Sequence, residues 1–200
     1  MSRARSTRKL TRIQREKRRA IFEAALDVFS EQGLRGATLE QIATASGLSK
    51  QNIIYYFDGK EAIYSELLGG LLETWIAPLR ELSAEGEPLE EILTYMRRKL
   101  EMSRSMPRES RLFATEILRG APLLDEILHD GLRKLVDEKA QVIAAWAAAG
   151  RIAPIDPHHL IFSVWSMTQH YADFDLQVCA VLGEARSAGR FGEAEAFLTT

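Results

Sequence analysis

Residues 38–57 read "TLEQIATASGLSKQNIIYYF". Two short helices fit this stretch, with a tight turn between them. Thr38 has Gln41 three residues on, which is the spacing of a capping box. Gly47 lies in the turn "SGLS", where a positive φ is expected. Ser49 then caps the second helix, "KQNIIYYF". Ile42, Ala43, Leu48, Ile53 and Ile54 make an apolar seam between the two. The result is a helix-turn-helix. A second helix of this kind enters the major groove of DNA with its N-terminal residues facing the base edges. Lys50, Gln51 and Asn52 stand at that end. A carboxamide can pair two hydrogen bonds with adenine, and a lysine can donate to guanine. Tyr55 and Tyr56 place hydroxyls near the far end of the helix, where phosphates would lie. The same pattern also suits a plain helical hairpin inside an all-helical core.

Outward from this motif the chain reads as helix after helix, with no alternating run that makes a strand, so the fold class is all-α. Upstream, Ile21, Ala24, Ala25, Val28 and Phe29 recur at helical spacing and predict a helix over roughly 15–32, stopped by Gly33. Downstream, a long helix opens at Lys60 and runs to about Glu81, with Pro78 bending or ending it. "SAEGEP" (83–88) is a loop. Helices follow over 89–105 and 108–119, parted by Pro107. "RGAPLL" breaks the chain before a helix that runs to Ala149, and "AGRIAPIDP" is a second linker. Asp156 as N-cap with Pro157 behind it opens a helix over 157–182. "GEARSAGRFG" ends that helix, and "EAEAFLTT" begins another with no C-cap signal, so the chain is expected to stop inside an element. These breaks give a basic, disordered arm over 1–14, a helix-turn-helix domain over 15–59 and a helical body over 60–200.

The net charge of −2 hides an asymmetry. Residues 1–60 carry twelve Lys and Arg, nine of them before residue 20, against six Asp and Glu; residues 61–200 carry fourteen against twenty-two. A basic front on an acidic body suits nucleic-acid contact at one end, although a run such as "SRARSTRKLTRIQREKRR" also suits a solvated tail. No apolar run is long enough to span a bilayer, and the charged N-terminus lacks the apolar stretch of a signal peptide. The one cysteine, Cys179, cannot form an intrachain disulfide and reads as a small buried hydrophobe, so a cytoplasmic location is expected. The chain shows no nucleophile elbow, no Gly-rich phosphate loop and no Cys–His pair. His170 and Asp173 are three apart on one helix, a pair that helical surfaces produce routinely. His158 and His159 open a helix and are expected to face solvent, and no His, Asp and Glu grouping has metal spacing. The expectation is a protein that is not an enzyme and holds no cofactor or metal.

The stretch "IFEAALDVFSEQGLRGATLEQIATASGLSKQNIIYYFDGKEAIYSELL" (21–68) resembles the DNA-binding domain of the TetR family of repressors. The resemblance is carried by Ala24-Ala25-Leu26 with Phe29, Gly33, Thr38, Ile42-Ala43, Gly47-Leu48-Ser49, Tyr56-Phe57 and Lys60-Glu61-Ala62. It implies a homodimer with one DNA head per subunit and a helical ligand-binding body. It also implies that the third helix reads bases while Thr38, Tyr56 and Lys60 touch phosphate. One departure is visible: Asp58-Gly59 stands where the family often has Pro-Ser or Pro-Asn. Either Asp58 or Gly59 is then the cap of the helix that begins at Lys60.

The body carries a narrower likeness. "ETWIAPLRE" (73–81), "SRLFATEILRGAPLLDEIL" (110–128) and "IAPIDPHHLIFSVWSMTQHYADF" (152–174) are similar to the uracil-responsive pyrimidine-utilisation regulators within that family. The likeness implies a repressor of pyrimidine catabolism that uracil or thymine releases from a palindromic operator. It places Trp75, Trp165 and Gln169 in the effector pocket. The residue chemistry agrees with that placement. Trp165 and Gln169 are four apart and share a helix face. A carboxamide can accept from the ring N–H of uracil and donate to a flanking carbonyl, while tryptophan faces make flat walls for a planar ring. Without the likeness, the two tryptophans read as core and Gln169 as an amide satisfied by a backbone carbonyl. The alternative function is a TetR-type repressor that answers to a different small hydrophobic or planar ligand.

Overall fold

The computed structural model describes residues 11–125 and 127–200. Among the described residues all regular structure is helical: α1 Arg12–Gly36, α2 Leu39–Ser46, α3 Lys50–Tyr56, α4 Lys60–Arg80, α5 Pro88–Ser105, α6 Pro107–Leu118, a π-helical turn Ile127–Leu132, α7 Arg133–Ala148, α8 Pro157–Asp173, α9 Asp175–Leu182, α10 Glu184–Ser187 and α11 Arg190–Leu198. The chain divides into two compact units between Leu67 and Leu68, inside α4.

Helix α1 starts three residues earlier than its apolar spacing predicts. Thr11 accepts from the Gln14 backbone N–H at 3.3 Å, and the Gln14 side chain accepts from the Thr11 N–H at 2.9 Å. This capping box satisfies two of the orphan donors at the helix start. Residues 12–14 are therefore helical and not part of the arm expected over 1–14; the remainder of that expectation, residues 1–10, lies outside the described residues. Gly33 interrupts the helix with φ 66° where a stop is expected, and a further turn follows it to Gly36.

The first unit closes around Ile21, Ala24, Ala25, Val28 and Phe29 of α1, Ile42 of α2, Ile53 of α3, and Ile63 and Tyr64 of α4, all buried. Within the expected seam of the helix-turn-helix, Ile42, Ala43 and Ile53 are buried, but Ile54 is 49% exposed. Ile53 and Phe57 are four apart and take the inward face; Ile54 lies about 100° round the helix from Ile53 and turns outward.

In the second unit α4, α5, α7 and α8 share a core of Leu72, Ile76, Leu79, Tyr95, Met96, Leu135, Ile143, Trp146, Ile161 and Val164. Helix α4 passes through Pro78 and ends two residues later. The loop after it is tied by three donors: Lys139 Nζ to Leu82 O at 3.0 Å, Trp146 Nε1 to Ala84 O at 3.2 Å and Arg151 to Gly86 O at 2.9 Å. These satisfy loop carbonyls that no helix ladder takes up.

Two expected helices are broken. The segment leading to Ala149 begins as a π-helical turn and becomes α-helical only at Arg133. The helix expected over 157–182 breaks at Phe174, which has φ −116° and ψ 29°. Side-chain anchors flank the break: Ser110 Oγ donates to Asp173 at 2.6 Å, and Arg190 Nε donates to Asp175 at 2.8 Å. The "GEARSAGRFG" segment holds the short α10, and α11 ends at Leu198.

Phe29 is 1% exposed and meets Tyr64 edge-on at 4.8 Å. Phe29→Ala should therefore destabilise the protein by about 3–5 kcal/mol in urea unfolding, the usual cost of an emptied aromatic site. A loss under about 1 kcal/mol would mean that this ring does not hold the first unit together.

Candidate functional site

Two places gather chemistry, one in each unit. In the first, Gly47 has φ 66° and ψ 21°, and its N–H bonds back to the end of α2. A left-handed residue there costs glycine little and sends the chain sharply into α3. Ser49 caps α3 by accepting from the Asn52 N–H at 3.2 Å, and the Asn52 carboxamide donates to the same Ser49 Oγ at 2.8 Å. Lys50 forms an ion pair with Glu40 across the turn, and that contact holds the Glu40 carboxyl below its ordinary range. Both side chains stay largely exposed, so solvent screens the pair and an incoming phosphate or base can displace it. Gln51 is exposed at the start of α3.

Tyr55 is 64% exposed, and its ring meets the half-buried Tyr56 edge-on at 5.0 Å. Thr38 is engaged in the capping box of α2, with Gln41 N 3.2 Å from its Oγ1. Gly59 sits at the cap position of α4: its carbonyl accepts from Ile63 N at 3.3 Å. Next to it, Lys60 Nζ donates to Ala37 O at 2.8 Å and Arg35 O at 3.3 Å. Its ammonium thus sits beside Thr38, at the link between α1 and α2. Sequence reasoning did not anticipate this tie, since it joins residues more than twenty positions apart. Arg18 was also missed as an individual residue. Its guanidinium lies 4.5 Å from the Phe57 ring centroid and pairs with Glu66.

In the second unit a cavity of about 60 Å³ is lined by Trp75 and Ile76 of α4, Tyr95 and Lys99 of α5, Phe113 of α6, and Trp165 and Gln169 of α8, among others. It has room for about two waters and is well below the several hundred Å³ of a typical drug-sized pocket. Trp75, Trp165 and Gln169, which the sequence brings together as a set only by likeness, all line this one space, with Trp165 and Gln169 one turn apart on α8. Trp165 Nε1 donates to Tyr95 Oη at 2.5 Å, so the indole's only donor is spent inside the protein. Burial raises the Tyr95 hydroxyl well above its ordinary value and keeps it protonated. Gln169 is half-buried, and among the described residues no hydrogen bond to its carboxamide is seen.

Lys99 is the lining residue that sequence reasoning missed. It is 2% exposed, and its Nζ stands 5.4 Å from the Trp75 ring centroid. Burial lowers its ammonium to about 7, a shift that the field of Asp173 opposes. Asp173 is itself raised by burial, with the Ser110 hydrogen bond and the charges of Arg111, Lys99 and His170 pulling the other way. The signal was present in "EEILTYMRRKLEM": Lys99 falls one turn after Tyr95, inside the apolar stripe that also holds Met96 and Leu100. His170 faces away and stacks on Phe174, with centroids 5.1 Å apart. Among the described residues no His, Cys, Asp and Glu group could hold a metal, and no helix is long and apolar enough to cross a membrane. Helices α8, α9 and α11 leave Phe162, Met167, Phe174, Leu176, Val181 and Phe197 exposed.

Comparison with known proteins adds a second line of observation. Residues 21–67 match the family described as bacterial regulatory proteins, tetR family, and residues 68–200 match the YcdC-like protein C-terminal region. The HTH-type transcriptional regulator RutR of Escherichia coli (strain K12) is 51% identical over 178 residues, which cover 89% of this chain and 84% of RutR. The HTH-type transcriptional repressor KstR2 of Rhodococcus jostii (strain RHA1) is 34% identical over 70 residues, covering 35% of this chain and 34% of KstR2. Among solved structures, the fatty acid degradation regulator FadR from Bacillus halodurans superposes with a TM-score of 0.64 at 19% identity, over 96% of this chain and 97% of that one. AibR in complex with isovaleryl coenzyme A and operator DNA gives 0.58 at 21% identity, over 78% and 85%. At these identities the structural likeness speaks for the fold alone.

The buried ammonium sets a pH test. An unfolded lysine titrates near ~10.4, and Lys99 in the fold near about 7. Between these values the unfolded chain binds more protons, so stability rises with pH; below about 7 the cost of burying the charge is felt in full. Lys99→Met removes that cost. The variant should melt above the wild type at pH 6, and the gap should shrink as pH rises to 9.5. A gap that stays constant or widens with pH would show that Lys99 is not a desolvated ammonium.

Proposed function

The chain belongs to the TetR family of bacterial regulatory proteins, and from that premise we propose that it is a repressor of pyrimidine catabolism, released from its operator by uracil or thymine. The observation that carries the reading is the unpartnered carboxamide of Gln169, set with Trp75 and Trp165 on one small cavity. The side chain is half-buried on the cavity wall, and a carboxamide not engaged by the protein is free to pair with an occupant. The pyrimidine edge offers an N–H beside a carbonyl, and two indole faces suit its flat ring. Similarity to RutR supports the assignment, since that likeness covers 89% of this chain and so spans both units. Cavity size bears on it as well: about 60 Å³ is far too small for a long acyl chain.

On DNA, α3 is the reading helix. Gln51 is its foremost base-reading residue, because Asn52 is partly committed to the Ser49 cap. Lys50 joins it by exchanging Glu40 for a base or phosphate. Thr38, Ser49, Tyr55, Tyr56 and Lys60 contact the backbone and fix the register. The apolar surface of α8, α9 and α11 is covered by a second copy of the chain, giving a two-fold dimer matched to a palindromic operator. One continuous helix, α4, carries both Lys60 and Trp75, so a filled cavity and a DNA-engaged head make demands on the same element.

Two experiments test this reading. Gln169→Leu removes the polar partner at nearly constant bulk. It should weaken uracil in titration calorimetry by about tenfold or more, since each ring group left unpaired costs roughly 1–3 kcal/mol. A variant that binds uracil as tightly as wild type would return Gln169 to the core. On DNA selected by this protein from a random pool, Gln51→Ala should cost about 1–3 kcal/mol and relax the preference at particular base pairs. An unchanged preference would move base reading away from α3.

A further inference from the structure

Lys99 is a cation buried against the wall of an apolar cavity, and the described protein gives it no hydrogen-bond acceptor. Its Nζ stands over the Trp75 ring face, 5.4 Å from the centroid. Asp173 lies within its electrostatic reach, and that carboxylate accepts from Ser110 at 2.6 Å. The other polar groups of the cavity are differently employed. The Tyr95 oxygen accepts from Trp165, and the Gln169 carboxamide supplies one acceptor and two donors. A buried ammonium is stabilised by a strong acceptor or costs free energy in full. Its Nζ is not wholly closed off from the cavity that Lys99 lines, so an oxygen of an occupant can supply that acceptor.

We propose that Lys99 is a specificity-determining residue of the effector site, its ammonium donating to a carbonyl oxygen of the bound ring while Gln169 reads an adjacent N–H and carbonyl pair. The inference rests on the reading of this cavity as the effector site and narrows it. The ligand class becomes a small planar cyclic imide, with one oxygen for Lys99 and an N–H flanked by oxygen for Gln169. A ring of the same size with no second oxygen leaves the ammonium unpaired and is rejected. A hydrophobic ligand of the same shape is rejected for the same reason. A hydrogen bond to a charged donor is about twice as strong as a neutral one, so this contact separates ligands that shape alone cannot.

The test removes one acceptor at a time from the ligand and the donor from the protein. Uracil, 2-thiouracil and 4-thiouracil are titrated calorimetrically into wild type, Lys99→Met and Lys99→Gln, each first shown to be folded by circular dichroism. Sulfur in place of a carbonyl oxygen keeps the ring and weakens one acceptor. Wild type should bind uracil about tenfold to a hundredfold more tightly than Lys99→Met, and Lys99→Gln, which keeps a neutral donor, should fall between. One of the two thio analogues should lose most of that advantage in wild type and almost none in Lys99→Met. That coupling is specific to a direct contact, since a merely structural role for Lys99 would lower all three ligands together. Equal uracil affinity in wild type and Lys99→Met, or the same ranking of ligands in both, overturns the assignment of Lys99 while leaving the cavity as the effector site. A wild type that binds neither uracil nor thymine removes the pyrimidine reading itself, and this inference with it.

Discussion

A hydrogen bond from the Trp165 indole to the Tyr95 hydroxyl joins α8 to α5 in the middle of the body. It spends the indole N–H on the Tyr95 oxygen and fixes two walls of the cavity. One turn further along each helix comes a polar side chain: Gln169 four residues after Trp165, and Lys99 four residues after Tyr95. Side chains four apart share a helix face. The bond that sets the walls therefore also sets these two polar groups on the cavity. Trp75, from α4, supplies an aromatic face beside Lys99.

This arrangement runs against the interest of stability alone. An apolar residue at either position would close the space and remove a buried polar group, which is often neutral or stabilising. The helices around the cavity otherwise follow the usual rules of packing, with Leu72, Ile76, Leu135 and Val164 filling the adjacent core. The departures are confined to one small space and agree in chemistry: flat walls, one charged donor and one carboxamide. Local inconsistency with the demands of the fold is the expected mark of a functional site. The head shows the converse pattern. Its Thr38, Ser49 and Lys60 hold caps and carbonyls in the folded chain, so positions matched to DNA contact are also the ones that fix the geometry of the motif.

How much of this the sequence shows depends on the range of the interaction. The helix-turn-helix is legible because its determinants are local: Thr38 with Gln41, the left-handed Gly47, and Ser49 with Asn52 all act within three residues. The start of α1 was missed although Thr11 and Gln14 are just as close, because a run of arginines conceals the capping box. Ser110 with Asp173, Arg190 with Asp175 and Lys60 with Ala37 join distant positions, and no periodicity announces them. The break at Phe174 belongs to that class. Trp165 and Gln169 are visibly one turn apart, but only family likeness brings Trp75 to them. Lys99 escaped for a different reason. A lysine at the edge of an apolar stripe ordinarily lays its stem along the core and keeps its charge in water; here the charge stays inside.

The central claim is that occupancy of the cavity and grip on DNA are linked, and linkage is reciprocal. The most direct measurement is the full cycle: operator affinity with and without saturating uracil, and uracil affinity with and without saturating operator. The account predicts that uracil weakens operator binding by about 5–150-fold, the range of typical coupling, and that operator weakens uracil binding by the same factor. Operator affinity that is unchanged in saturating uracil, in a protein shown by calorimetry to bind it, would contradict the account.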